Sequence, residues 1–146
     1  MLQKLTNYYL QMIIKHLSEH KTFWLVSAIG WTIFVAFLCL VNNNDLPSIG
    51  MKISGIDKVI HFLFHFIFTL LWSIYYFSKD KMLTPKRVII IVIASLIFGV
   101  MIEWMQASFT LTRQADVLDV ISNTGGAISS GLLVYHLLKK HFHSNT

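Results

Sequence analysis

The sequence predicts an all-α polytopic membrane protein, with four transmembrane helices that follow an N-terminal amphipathic helix. Apolar residues make up 55% of the 146 residues and charged residues only 13%, which is too hydrophobic for a small soluble domain. Four apolar stretches reach about 20 residues, the length that crosses a hydrocarbon core about 30 Å thick. The chain is also short enough to form a single domain, 1–146.

The spans are predicted at about 22–41, 59–78, 87–105 and 117–138. Residues at about 2–20 place apolar side chains at helical spacing and are predicted to form a helix along the membrane surface. No cleavage-site pattern follows the first span, so we expect it to remain as an anchor. The fourth span, VLDVISNTGGAISSGLLVYHLL, is polar in its first half, so it belongs inside a helix bundle.

Basic residues set the expected orientation, because their excess normally stays on the cytoplasmic side. One side holds Lys4, Lys15, Lys21, Lys79, Lys81, Lys86, Arg87, Lys139 and Lys140, and the other holds Lys52, Lys58 and Arg113. We therefore predict a membrane protein with both termini cytoplasmic and the loops 42–58 and 106–116 outside. The net charge of +5 then reflects topology, and we expect no nucleic-acid partner.

Acidic residues show the opposite distribution. Only Glu19 and Asp80 fall on the inner side, whereas the outer side holds Asp45, Asp57, Glu103, Asp116 and Asp119. Topology does not require this asymmetry, but a functional site at the outer face does. Polar residues of three spans and one loop converge at that level: Asp57, Lys58, His61, Glu103, Gln106, Arg113, Asp116, Asp119 and Asn123.

The candidate catalytic residues are His61, Glu103, Asp119 and Asp57. A histidine oriented by Asp57 or Asp119 transfers protons, and a semi-buried Glu103 suits acid catalysis. The candidate substrate-binding residues are cations for a phosphate or carboxylate and polar groups that orient the substrate: Arg113, Lys58, Gln106, Asn123 and Asp116.

Structural roles are the alternative for this cluster. Asp57 and Asp116 each suit the N-cap of a helix, and Asp119 suits the N3 position that follows Asp116. Gln106 and His65 suit hydrogen bonds to a neighbouring helix. An ion-pair network that only holds the helices together remains open.

A metal site is a further alternative, because His61 and His65 are four residues apart and Glu103 is available. His65 lies one turn deeper on an apolar face, so the expectation is a site with no metal and no cofactor. The chain has no Gly-x-Ser-x-Gly, P-loop or His-Glu-x-x-His motif, which leaves nucleophilic serine chemistry unsupported.

Three segments, DKVIHF, GVMIEWMQASF and RQADVLDVISNTGG, resemble the VanZ-like family of bacterial membrane proteins, named for a glycopeptide (teicoplanin) resistance protein. The family pattern falls on Asp57, Lys58, His61, Phe62, Glu103, Gln106, Arg113, Asp119, Asn123 and Gly126. The match covers about 57–126, roughly half the chain. The chain departs from the pattern at His65, often an aromatic residue, and in the loop FTLTR, which lacks the usual Pro or Gly.

The resemblance implies a protein of the bacterial plasma membrane with a role in the cell envelope, and it supplies no established reaction. Two functions follow as expectations. One is an enzyme that alters a lipid-linked or amphipathic envelope molecule by acid–base chemistry at the outer leaflet. The other is a non-catalytic protein that binds or transports an anionic envelope lipid or precursor.

Overall fold

The computed structural model describes residues 8, 12, 15, 16, 19–41, 55–109 and 116–143, apart from the side chains at 109 and 138–143. This part of the chain forms four long helices: α1 (Lys21–Leu40), α2 (Ile56–Asp80), α3 (Pro85–Phe109) and α4 (Val117–His143). All four are long and apolar enough to cross a membrane, which confirms the predicted spans. The amphipathic helix predicted at about 2–20 lies mostly outside the described residues.

Helix α2 is the centre of the bundle. It contacts each of the other three helices and packs most extensively against α4. Gly126 permits this packing, because a Cβ atom there would overlap the carbonyl oxygen of Phe62 and lie 2.9 Å from its carbonyl carbon. Backbones can approach this closely only where one helix has no side chain. The first halves of α2 and α4 are therefore held together.

Polarity is arranged inside out compared with a soluble bundle. Helices α2, α3 and α4 bury small polar side chains almost completely, at Thr69, Ser73, Ser78, Ser95, Asn123 and Ser130. Large apolar side chains point outward, among them Phe23, Ile33, Phe37, Ile89, Ile93 and Leu132. A surface of this kind suits hydrocarbon, and small polar residues suit close helix packing in lipid.

The turn between α2 and α3 closes one end of the bundle. Lys81 ends α2 in the left-handed conformation, with φ 57°, and donates its N–H to the carbonyl of Phe77. Thr84 accepts the N–H of Arg87 at its hydroxyl, and Pro85 occupies the first position of α3, where a missing N–H costs nothing. At the opposite end, α1 and α3 finish and α2 and α4 begin. We refer to this opposite end as the site end.

Candidate functional site

Lys58 joins the start of α2 to the start of α4. Its Nζ lies 2.7 Å from Asp57 Oδ2, 2.6 Å from Asp116 Oδ2 and 3.1 Å from Asp119 Oδ1. Asp57 is not the N-cap of α2, because the helix begins earlier than hydropathy predicts and Gly55, with φ 85°, holds that position. Asp57 therefore lies within the first turn, is largely exposed, and pairs with Lys58.

Asp116 is the N-cap of α4, as its sequence position predicts. Its Oδ1 accepts the N–H of Leu118 at 2.8 Å, and Asp119 follows in the first turn of the helix. Lys58 donates to the Asp116 carboxylate, and this hydrogen bond, with the one from Leu118, lowers the pKa of Asp116 below its usual value of 3.8. Asp116 is therefore an anion at neutral pH.

Glu103 belongs to α3, but its side chain contacts the start of α4. Its Oε2 accepts the N–H of Asp116 at 3.2 Å, so the carboxylate of α3 faces the N-terminus of another helix. The sequence alone places Glu103 at the C-terminal end of its own helix, where the dipole disfavours an anion. The neighbouring helix reverses that environment, because amide groups and the positive end of a dipole point at the carboxylate.

His61 lies between two carboxylates inside the bundle. Its Nδ1 is 3.2 Å from Asn123 Oδ1 and 3.8 Å from Glu103 Oε1, and its Nε2 is 3.8 Å from Asp119 Oδ2. His61, Glu103 and Asp119 are only 7%, 4% and 9% exposed. Asp119, rather than Asp57, is therefore the aspartate beside the imidazole. We call His61, Glu103, Asp119 and Asn123 the buried cluster.

Apart from Asp119 Oδ1, which lies 3.1 Å from Lys58 Nζ, two atoms of the buried cluster have unused hydrogen-bonding capacity. Glu103 Oε1 and Asn123 Nδ2 are buried and have no hydrogen-bond partner among the described residues. Buried polar atoms are ordinarily bonded to protein, water or a ligand. A ligand could therefore place a hydrogen-bond donor or a cation against Glu103 Oε1, and a hydrogen-bond acceptor against Asn123 Nδ2.

Gln106, a predicted substrate-binding residue, and His65, a possible metal ligand, both bond to neighbouring helices outside the buried cluster. Gln106 Nε2 donates to the carbonyl of Cys39 at 2.8 Å, which ties α3 to the end of α1. His65 Nδ1 lies 2.8 Å from Ser95 Oγ, and its ring packs near the ring of Phe98. These contacts favour the structural alternative for both residues. Sequence reasoning missed Ser95, although a lone serine within the apolar run IIIVIASLIF was the available signal.

The segment 110–115 and the loop 42–54 lie outside the described residues. The predicted cationic clamp at Arg113, and the positions of Asp45 and Lys52, therefore stay predictions.

A family model described as VanZ/LLP1 matches residues 4–139, nearly the whole chain. The chain belongs to the VanZ/LLP1 family. No curated protein and no solved structure matches it. The family match extends the resemblance, carried by about 57–126, to α1 and to most of the N-terminal segment. Within this VanZ/LLP1 chain, the residues of the pattern form the Lys58 ion pairs, the buried cluster and the contact at Gly126.

Proposed function

We propose that this VanZ/LLP1 protein binds and chemically alters a lipid-linked or amphipathic molecule of the bacterial cell envelope, with the whole chain, 1–146, acting as one domain. The observation that carries the proposal is a buried histidine placed 3.8 Å from each of two carboxylates. This combination supports proton transfer more than simple anchoring, because histidine is the side chain that most often acts as a general acid or base. The VanZ-like family is named for a teicoplanin resistance protein, and this association supports an envelope molecule as the proposed substrate.

His61 is the proton-transfer group in this proposal. Asp119 and Glu103 stabilise the imidazolium that forms when His61 accepts a proton, and Asn123 holds the ring through its contact with Nδ1. Lys58 fixes the start of α4 and so fixes Asp119. Arg113 supplies the charge that clamps a phosphate or carboxylate of the substrate.

Charge balance favours chemistry over capture of an anion. The described part of the site holds four carboxylates, those of Asp57, Glu103, Asp116 and Asp119, and one lysine, Lys58, which pairs with the three aspartates. A surface built to bind anionic lipid headgroups would need an excess of cations. The non-catalytic binder therefore remains the second candidate and rests on Arg113 alone.

Mass spectrometry of envelope lipids tests the proposal. A bacterial host without a family member would express the wild-type chain, His61→Gln or an empty vector, and lipid extracts and cell-wall precursors would be compared. We expect at least one lipid-linked species to change in amount or mass with the wild type and to stay at the vector level with His61→Gln. Identical spectra for wild type and vector, with the protein present in the membrane, would contradict the enzymatic proposal.

The proposed outward position of the site is tested by topology. A phosphatase reporter that is active only outside the plasma membrane, fused after Thr146, is expected to be inactive, and a fluorescent reporter that folds only in the cytoplasm is expected to be bright. Both results follow from the excess of Lys and Arg at the end of the bundle opposite the site end. An active phosphatase at Thr146 would place the cluster on the cytoplasmic side and exclude an outer-leaflet substrate.

A further inference from the structure

We infer that His61, Glu103 and Asp119 form a binding site for a divalent transition-metal ion such as Zn²⁺. Each residue offers one ligand atom, and these atoms all lie within 4.8 Å of one another. The three residues come from α2, α3 and α4, so a bound ion would join three helices at the site end. The inference goes beyond the proposed function, because metal binding requires no envelope substrate. With an ion bound, water at its open position would carry out the proton transfer that is otherwise assigned to His61.

The ligand chemistry suits this class of ion. One imidazole and two carboxylates are the ligand types that zinc uses, and three protein ligands leave a position open for water or substrate. At ligand distances of about 2.0–2.1 Å, tetrahedral ligand atoms lie about 3.3 Å apart. Glu103 and Asp119 lie 3.8 Å from different ring nitrogens of His61, and only one of these nitrogens can bind the ion. The three ligand atoms lie within 4.8 Å of one another, so side-chain rotations of about 1.5 Å bring them to the tetrahedral spacing. Ca²⁺ and Mg²⁺ fit less well, since both prefer oxygen ligands alone.

Glu103 provides an independent reason for a cation. Its side chain is 4% exposed, and its Oε1 faces His61 Nδ1 at 3.8 Å with no hydrogen-bond partner among the described residues. A buried, unpartnered carboxylate oxygen costs free energy until a proton or a cation reaches it.

Two other groups of residues could also bind a metal ion and must be considered in the experiment. Asp57, Asp116 and Asp119 also bring their oxygens together, but Lys58 already binds all three carboxylates. His16, Glu19 and His20 form an exposed group before α1 that would bind metal from solution. A binding measurement must therefore remove this second group.

Metal titration of the purified full-length protein tests the inference. The protein would carry His16→Asn and His20→Asn, a purification tag without histidine, and no metal after treatment with a chelator. We expect Zn²⁺ titration by calorimetry to give one ion per chain, and Co²⁺ to give visible absorption bands of a four- or five-coordinate site. Glu103→Gln, Asp119→Asn and His61→Asn are each expected to weaken Zn²⁺ binding at least tenfold.

His65→Asn is the matched control, because it removes a histidine one turn further along α2 that bonds to Ser95. We expect this variant to bind Zn²⁺ as tightly as its parent. Size-exclusion profiles would confirm that each variant is folded. Absence of stoichiometric Zn²⁺ binding by the parent would overturn the inference, as would equal binding by all three ligand variants. Neither result bears on the envelope-lipid measurement, which needs no added metal.

Discussion

Gly126→Ala is expected to lower the free energy of unfolding by about 3 kcal/mol or more, the upper part of the range for overpacked cores. The added Cβ would overlap the carbonyl oxygen of Phe62 and lie 2.9 and 3.1 Å from its carbonyl carbon and Cα. All three are backbone atoms of a continuous helix, so no rotamer change can relieve the overlap. Helices α2 and α4 must move apart, and the contact between His61 and Asn123 across the same interface must lengthen.

Two other glycines provide matched controls for Gly126→Ala. A Cβ at Gly30 meets nothing within 4 Å, and one at Gly125 meets only the Phe62 ring at 3.6 Å. Both controls are expected to be neutral or slightly stabilising, because alanine is the better helix former by about 1 kcal/mol. Unfolding of the purified proteins in mixed detergent and SDS, followed by circular dichroism, measures all three. Equal midpoints for Gly126→Ala and Gly125→Ala would show that the helices do not approach as closely as described.

Hydropathy was sufficient to predict the four helices, because lipid imposes a minimum apolar length on any spanning segment. It predicted their ends less well. Hydropathy starts the second span at about 59, whereas α2 begins at Ile56. This shift brings Asp57 and Lys58 into the helix and moves the N-cap to Gly55. Charged residues in the first turn of a helix lower the mean hydropathy of the segment, so hydropathy leaves them out of the span. They are nevertheless helical, because carboxylates stabilise the N-terminus of a helix.

The depth at which the site residues meet was also predictable, because residues three or four apart share a helix face. Which residues touch was not. Spacing left Asp57 and Asp119 as alternative partners of His61, and it is Asp119 from α4 that lies beside the imidazole. Glu103 shows the same limit, since its favourable environment comes from the N-terminus of α4 and not from its own helix. Such pairings depend on how the helices pack against one another, and no pattern within one helix reveals that packing.

His61→Gln is expected to reduce the rate of the proposed envelope reaction by about 100-fold or more, since general acid–base catalysis typically contributes 10²–10⁴-fold. Glutamine keeps a polar side chain that can still contact Asn123, but it cannot exchange a proton near neutral pH. The measurement is the initial rate at which the lipid species identified in cell extracts changes in proteoliposomes that contain equal amounts of wild-type or variant protein.

His65→Gln is the control for this prediction, because it makes the same substitution four residues along α2, at a histidine that contacts Ser95 and the ring of Phe98. Its rate is expected to stay within about threefold of wild type, well below the contribution of an acid–base group. A loss confined to His61→Gln would show that the reaction requires the imidazole of the buried cluster. Similar rates for His61→Gln and wild type would instead mean that His61 and its two carboxylates hold three helices together, and that any chemistry depends on other groups of the site.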